Sequence, residues 1–231
     1  MCGRFVGYRS LQELRHHFPI DRVAEGIADA ANYNVAPAQE VLAIVQHGGL
    51  NVLQRLRWGL VPFWAKDAAA GQRMINARLE TVAAKASFRD AFRKRRCLIM
   101  ADGFYEWRGP AGSRQPVYIT LPDAVPFGFA GLWEAWDNRG RNARVLYSCT
   151  IITTEAGPAL RQVHARMPVV LKPEAYADWL DTQRQEAAFL LAQLPGWTQA
   201  EFVWRPVSRA VNAVHNNTPA LLDPLPPAPA S

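Results

Sequence analysis

The chain breaks into short β-branched, apolar stretches separated by turn residues. Val41–Gln46 is one such run; His47, Gly48 and Gly49 follow, and Leu50–Trp58 is strand-like again. Two such runs joined by a short Gly-containing turn predict a β-hairpin. Further strand-like stretches are Cys97–Ala101, Tyr105–Arg108, Pro116–Thr120, Phe127–Leu132, Val145–Thr153 and Pro168–Leu171, with Gly, Pro or Asp near most of their ends. Helical patterns are fewer. Ser10–His17 opens on Ser with Glu13 three residues on, the spacing of a capping box. Pro173–Asp181 starts on Pro, Arg184–Leu194 is amphipathic, and Thr81–Lys94 reads as partly helical. Strands and helices do not alternate strictly, which disfavours a parallel sheet. The pattern predicts an α+β fold on mostly antiparallel strands. No repeat and no linker divides it: a single domain is expected over 1–222, with a flexible Pro-rich tail over 223–231.

Composition narrows this picture. A chain of 231 residues buries about 70–75% of its unfolded surface, so its core needs no disulfide or structural metal. The longest uninterrupted apolar run, Ala187–Ala192, has six residues, where a membrane span takes about 20. No apolar stretch follows Met1-Cys2-Gly3-Arg4, so no signal peptide is expected and the cytoplasm is the predicted compartment. Cys2, Cys97 and Cys149 are widely spaced and odd in number, without a CxxC pair. That excludes a zinc ribbon and a disulfide framework, and no metal or cofactor is expected. Cys97 and Cys149 lie in apolar runs and read as core thiols. The net charge of +6 comes with 22 Arg against 4 Lys. The planar guanidinium pairs with phosphate at two points, so the excess favours a polyanionic partner; a GC-rich coding bias would give the same excess.

Cys2 stands apart because only Met1 precedes it. If Met1 is trimmed, Cys2 presents an α-amine and a thiol, with ordinary pKa values of about 7.7–8.0 and 8.5. The amine can condense with an aldehyde to an imine, and the thiol can close on that carbon to a five-membered thiazolidine. An internal Cys lacks the free nitrogen. Arg4 beside it can depress the thiol pKa or bind phosphate.

Other polar residues sit in suggestive places. Glu106 lies between Tyr105 and Trp107, where desolvation would suit it to proton transfer; the same alternation fits a carboxylate facing water. His164 precedes a β-type run and is the best acid/base candidate of the five His residues. In Ile75–Thr81 polar and apolar residues alternate, which places Asn76, Arg78 and Glu80 on one strand face. Trp64, next to the polar Lys66-Asp67, is a candidate for stacking on bases, while Trp58 reads as core. Arg89–Arg96 holds five basic residues and one Asp, a solvated helix face or a phosphate track. No Walker loop, GxSxG or HExxH is present.

Together these segments resemble the SRAP family of abasic-site processing proteins. The matching stretches are Cys2–Phe5, Tyr33–Pro37, Trp58–Pro62 with Trp64, Ile75–Thr81, Arg96–Leu98, Ala101–Trp107, Phe129–Glu134, His164–Pro168 and Val207–Asn212. They run in family order across nearly the whole chain. Met100 stands where many relatives have Pro, and Ala65 follows Trp64 where some bacterial relatives have a second Trp. The resemblance implies a barrel-like sheet core with flanking helices. It implies a monomer that binds single-stranded DNA at abasic sites, ss/ds junctions included, and links Cys2 to the ring-opened sugar as a thiazolidine. By the same match Asn76 holds the sugar or the Cys2 backbone, Glu106 is general acid/base for crosslinking, and His164 assists ring opening and reversal. Arg4, Arg78 and Arg166 contact phosphate, Pro37 and Trp64 shape the DNA path, and Met167 and Pro168 adjoin it. The family is also described as peptidases, which with lyase activity and replication-fork partners completes what the resemblance implies. Two other readings stay open: an N-terminal-nucleophile amidohydrolase, whose thiol attacks an amide, and a non-covalent single-strand binder.

Overall fold

The computed structural model describes residues 2–137, 145–197 and 201–226. The strands are β1 (Phe5–Gly7), β2 (Arg22–Val23), β3 (Asn32–Val35), β4 (Glu40–His47), β5 (Leu50–Trp58), β6 (Asn76–Arg78), β7 (Arg96–Ala101), β8 (Gly103–Arg108), β9 (Gln115–Thr120), β10 (Phe127–Asp137), β11 (Val145–Glu155), β12 (Arg166–Pro168), β13 (Val170–Leu171) and β14 (Val203–Pro206). The helices are α1 (Leu11–His17), α2 (Leu79–Val82), α3 (Arg89–Lys94), α4 (Pro158–Arg161), α5 (Tyr176–Leu180) and α6 (Ala187–Trp197). The class is α+β, with mostly antiparallel pairing.

Five long strands close into a barrel. β5, β4, β7, β10 and β11 pair antiparallel in that order, and β11 returns to β5 in parallel through Ser148 opposite Arg57 and Cys149 opposite Trp58. Closure removes the free edges an open sheet would expose. Because side chains alternate along a strand, one face collects Ala43, Val45, Leu56, Trp58, Cys97, Ile99, Phe129, Cys149 and Ile151, all buried. The opposite face carries Ile44, Leu53, Leu98, Ala130, Leu132 and Ile152, which the helices cover with Leu14, Phe92, Trp179, Leu180 and Leu190. On β10, Gly128 lets Leu98 pass, since a Cβ there would lie 2.1 Å from the leucine side chain.

Arg96 pins this helical side. Its Nε donates to Trp179 O at 2.6 Å and its Nη1 to Phe92 O and Arg93 O at 3.0 and 2.7 Å; Nη2 donates to Asp181 O. One buried guanidinium thus satisfies carbonyls at the C-terminal ends of both α3 and α5, groups a helix leaves unpaired. Burial pulls its pKa down to about 10, opposed by the nearby Asp181 charge, so it stays a cation near neutrality.

A second sheet has the order β14-β9-β8-β1-β3, antiparallel throughout. One face joins the barrel core: Phe5 meets Trp58 at 5.1 Å between ring centroids, and Phe104 meets Phe129 at 6.0 Å. The other buries Val6, Tyr105, Tyr118, Val207, Val211 and Leu221. The seam between sheet and barrel is where the N-terminus lies.

The capping box at Ser10 is present: Ser10 Oγ accepts from Glu13 N–H at 3.3 Å and the Glu13 carboxylate accepts from Ser10 N–H at 2.9 Å. The helical stretch expected at Thr81–Lys94 instead splits into α2 and α3. The strand pattern over Ile75–Thr81 also needs correcting. It ends at Arg78, where α2 begins, so Glu80 turns with the helix instead of continuing the strand face. The Pro-rich segment from 223 starts attached to the body: Pro224 bridges Val207, and Leu225 N–H donates to Pro206 O at 3.0 Å. Residues 227–231 lie outside the described residues. Among the described residues no helix is long and apolar enough to cross a membrane.

Candidate functional site around Cys2

Cys2 precedes β1, whose register with β8 sets Phe5 opposite Phe104. Carried two residues back, that register places Gly3 opposite Glu106. Glu106 shares the Phe104 side of β8, by the two-residue alternation, and so faces the barrel. Cys2 is fully buried, its Sγ 4.0 Å from Arg4 O. Burial pushes the thiol well above its ordinary range, and the negative charge of Glu106 pushes it further; the N-terminal positive charge pulls it back in part. The sulfur is therefore a protonated thiol at neutral pH, with a carboxylate at electrostatic range.

β11 brings the rest together. Its outer half pairs in parallel with β6, Ile151 opposite Asn76 and Thr153 opposite Arg78. It pairs antiparallel with β12, Thr153 opposite Pro168 and Glu155 opposite Arg166. From β6, Asn76 Nδ2 donates to Cys2 O at 2.8 Å. Asn76 Oδ1 is buried and has no partner among the described residues. An amide that fixes the Cys2 backbone thus keeps an acceptor in reserve, and leaving such an acceptor unmade costs about 1–3 kcal/mol. Arg78 is exposed at the end of the same strand.

Arg4 is held from behind. Its Nη1 donates to Asn34 Oδ1 at 2.5 Å and Val211 O at 2.7 Å, and its guanidinium lies 6.0 Å from the Trp107 ring centroid. Nε is buried without a partner among the described residues. Burial lowers its pKa, with Tyr105 opposing. The sequence pattern does not set Asn34 apart. Buried, it also donates to Val211 O, Ala213 O and Asn216 O at 3.3, 3.0 and 2.8 Å, tying the 211–216 segment to Arg4. The available signal was an Asn followed at once by the apolar Val35 and Ala36, where a buried amide must find partners.

His164 lies in the turn between α4 and β12. Its Nδ1 is 3.0 Å from Arg166 N and 3.1 Å from Arg166 O. A neutral ring can accept from that N–H, and a charged ring can donate to that carbonyl, so the backbone of Arg166 holds His164 in both protonation states. The Arg166 side chain does not face outward. Both of its η nitrogens donate to the Glu80 carboxylate, at 3.1 and 2.9 Å, and Nη2 also donates to Thr153 O at 2.7 Å. Burial would raise the Glu80 pKa, but the Arg166 hydrogen bond and the Arg166 and Arg78 charges outweigh it and hold the carboxyl below its ordinary value. Met167 and Pro168 are buried, with Met167 in the main core. Their side chains are closed off from solvent.

Pro37 is half-buried at the turn after β3, where Ala38 N–H donates to Trp58 O at 2.8 Å. Trp58 is buried and its Nε1 donates to Ile75 O at 2.9 Å. Trp64 is 53% and Phe63 56% exposed. They stand on a loop whose base is a crossing of two glycines: a Cβ on Gly59 would lie 2.7 Å from Gly71 O, and one on Gly71 would lie 2.4 Å from Gly59 O. Trp136 Nε1 donates to Ala65 O at 2.7 Å and secures the loop's other side. Two exposed aromatics are thus presented on a fixed mount. Among the described residues no group of three His, Cys, Asp or Glu side chains stands together to hold a metal.

Residues 1–214 match the SOS response associated peptidase (SRAP) family, and the chain belongs to that family. It is 40% identical over 224 residues to the abasic site processing protein YoaM of Bacillus subtilis, covering 96% of this chain and 98% of that one. It is 32% identical over 236 residues to the abasic site processing protein YedK of Escherichia coli, covering 97% and 100%. A crystal structure of a Bacteroides thetaiotaomicron protein superimposes with a TM-score of 0.82 over 97% of this chain and 100% of that one; at 23% identity this likeness speaks for the fold alone.

Proposed function

We propose that the protein captures abasic sites in single-stranded DNA as a covalent thiazolidine at Cys2. The observation that supports this most is the pairing of Cys2 with Asn76: the amide that anchors the Cys2 carbonyl carries a buried acceptor that a new N–H or sugar hydroxyl can fill. Removal of Met1 converts the Cys2 amide nitrogen into an amine. That amine adds to C1′ of the ring-opened sugar aldehyde, and the carbinolamine loses one water to give an imine. The thiol then adds across the C=N bond, sulfur to carbon and its proton to nitrogen. Nothing is oxidised or reduced. Glu106 moves protons in the first two steps, and His164 moves the proton when the C–S bond reopens and water restores the aldehyde.

A thiol held protonated suits an amine-first sequence, since the amine needs no thiolate beside it. The same feature weighs against direct thiolate attack on an amide, as an amidohydrolase would require. Arg4 and Arg78 supply phosphate contacts, with Pro37 and Trp64 shaping the path of the strand.

The test is incubation of the mature protein with single-stranded DNA carrying one abasic site, followed by a denaturing gel and intact mass. Wild type gives a shifted band whose mass is the sum of protein and DNA less one water. Cys2→Ala gives none. Glu106→Gln slows formation, and His164→Ala mainly slows release. A Cys2→Ala protein that crosslinks as well as wild type would falsify the mechanism.

A further inference from the structure

A cavity of about 270 Å3 lies between α1, β3 and the β4–β5 hairpin. Gly7, at the end of β1 away from Cys2, lines it, whereas Cys2, Asn76, Glu106 and His164 do not. Phe5, Leu14, Val35, Val41 and Met100 form an apolar wall, and each is buried. Drug-sized ligand sites run to about 300–1,000 Å3, so this cavity suits a smaller molecule. Four charged residues also line it: Arg9, Glu40, Arg55 and Asp102. Two of them are already matched. Arg9 donates to Asp102 Oδ1 at 2.8 Å, Glu13 Oε1 at 3.4 Å and Ala124 O at 2.9 Å, and Asp102 Oδ2 accepts from Tyr8 N–H at 2.7 Å. Glu40 and Arg55 differ. Leu42 pairs with Arg55 and Glu40 with Arg57 across β4 and β5. Glu40 and Arg55 are therefore diagonal neighbours on one face, a spacing of about 7–8 Å. They do not close on each other. The Glu40 carboxylate has no hydrogen bond or ion pair among the described residues, and Arg55 there gives only its Nη2, to Ala28 O at 3.4 Å.

We propose that this cavity binds a free α-amino acid with a large apolar side chain. Its carboxylate sits on Arg55, its ammonium on Glu40, and its side chain against Phe5, Leu14 and Met100. A carboxylate and a guanidinium held apart at the edge of an apolar cavity match a ligand whose opposite charges stand close together on an apolar body. Two-point contact between a guanidinium and a carboxylate fixes direction as well as distance, so Arg55 orients the molecule while the apolar wall takes up its side chain. None of the residues around Cys2 takes part, so the site stands or falls independently of the crosslinking chemistry.

The experiment titrates the full chain, without DNA, with three probes while its backbone amide resonances are recorded. The probes are L-phenylalanine, N-acetyl-L-phenylalanine, which lacks the ammonium, and L-phenylalaninamide, which lacks the carboxylate. L-Phenylalanine should move the resonances of Gly7, Asn32 and Leu42 saturably. Each blocked form should bind weaker by about tenfold or more, the worth of a hydrogen bond to a charged group. Glu40→Gln and Arg55→Gln are made at exposed and half-buried positions, so neither empties the core. Glu40→Gln should weaken L-phenylalanine by about the same factor and leave N-acetyl-L-phenylalanine no weaker than before. Arg55→Gln should weaken L-phenylalanine likewise and leave L-phenylalaninamide no weaker. Equal affinity for all three probes would mean apolar filling by an adventitious additive only, and would overturn the proposal. So would the absence of any saturable shift at the cavity, or an L-phenylalanine affinity that both substitutions leave unchanged.

Discussion

Arg96 and Arg4 both carry a guanidinium into the protein, one on the helical side of the barrel and one at the seam beside Cys2. Each nitrogen of Arg96 has a backbone carbonyl to donate to. Arg4 has two partners on a single nitrogen, while its Nε stays buried without one among the described residues. Asn76, across the seam, likewise fixes its neighbour with one end of its amide and leaves the other unmatched. A saturated polar group joins pieces of the fold. A group anchored at one end keeps capacity that a ligand can fill, and filling it recovers part of the unsatisfied cost.

The comparison can be broken in three ways. The largest effect is expected at Arg96→Met, which strips several carbonyls of their donor at once. The loss should be at least about 3 kcal/mol, a fall in Tm on the order of 10 °C for a chain of this size. Thermal melts by circular dichroism check it, and Arg4→Met melting as low as Arg96→Met would erase the contrast. Next comes Trp64→Ala. An exposed ring that stacks on a base is worth about 1–3 kcal/mol, so binding to single-stranded DNA should weaken roughly tenfold while Tm stays within about 2 °C. Equal affinity by fluorescence anisotropy would remove Trp64 from the DNA path.

The smallest effect sharpens the electrostatics of the seam. Burial first, and Glu106 second, raise the Cys2 thiol. A raised acid stays protonated to higher pH, so alkylation of Cys2 should climb only well above the ordinary thiol range near 8.5. Glu106→Gln removes one of the two causes, lowers the pKa, and should shift the alkylation profile toward lower pH. A profile that moves the other way, or not at all, would show that Glu106 is too distant to act on Cys2.

The long strands were legible in the sequence because eight or more alternating residues carry their own periodicity. β4, β5, β10 and β11 start at or within one residue of where the pattern placed them, although the pattern ended β10 at Leu132 and the strand runs on to Asp137. The strands β1, β2, β3 and β14 have two to four residues each, too few for alternation to register. Those short strands matter for the site: β1 delivers Cys2 and Arg4, and β3 delivers Asn34. Glu80 was misplaced for a related reason. The alternating pattern of Ile75–Thr81 continues past the point where the backbone turns into α2, and alternation alone does not report that turn. Met167 was placed on the DNA path by its neighbours in the chain, whereas its burial depends on what packs above it.

Sequence by itself determined the buried strands and set Cys2 apart as the proposed reactive residue. Apolar alternation is a local property that any packing must bury, and an N-terminal aminothiol is a matter of covalent chemistry. Tertiary structure decided what surrounds that residue. Asn76, 74 positions from Cys2, meets it through a hydrogen bond, Glu106 acts on it electrostatically from β8, and β11 pairs with both β6, which bears Asn76, and β12, which follows His164. It also decided that Arg166 faces inward to Glu80 while Arg78 faces out. Both are arginines near the end of a short strand, and the partner within reach is what sets them apart.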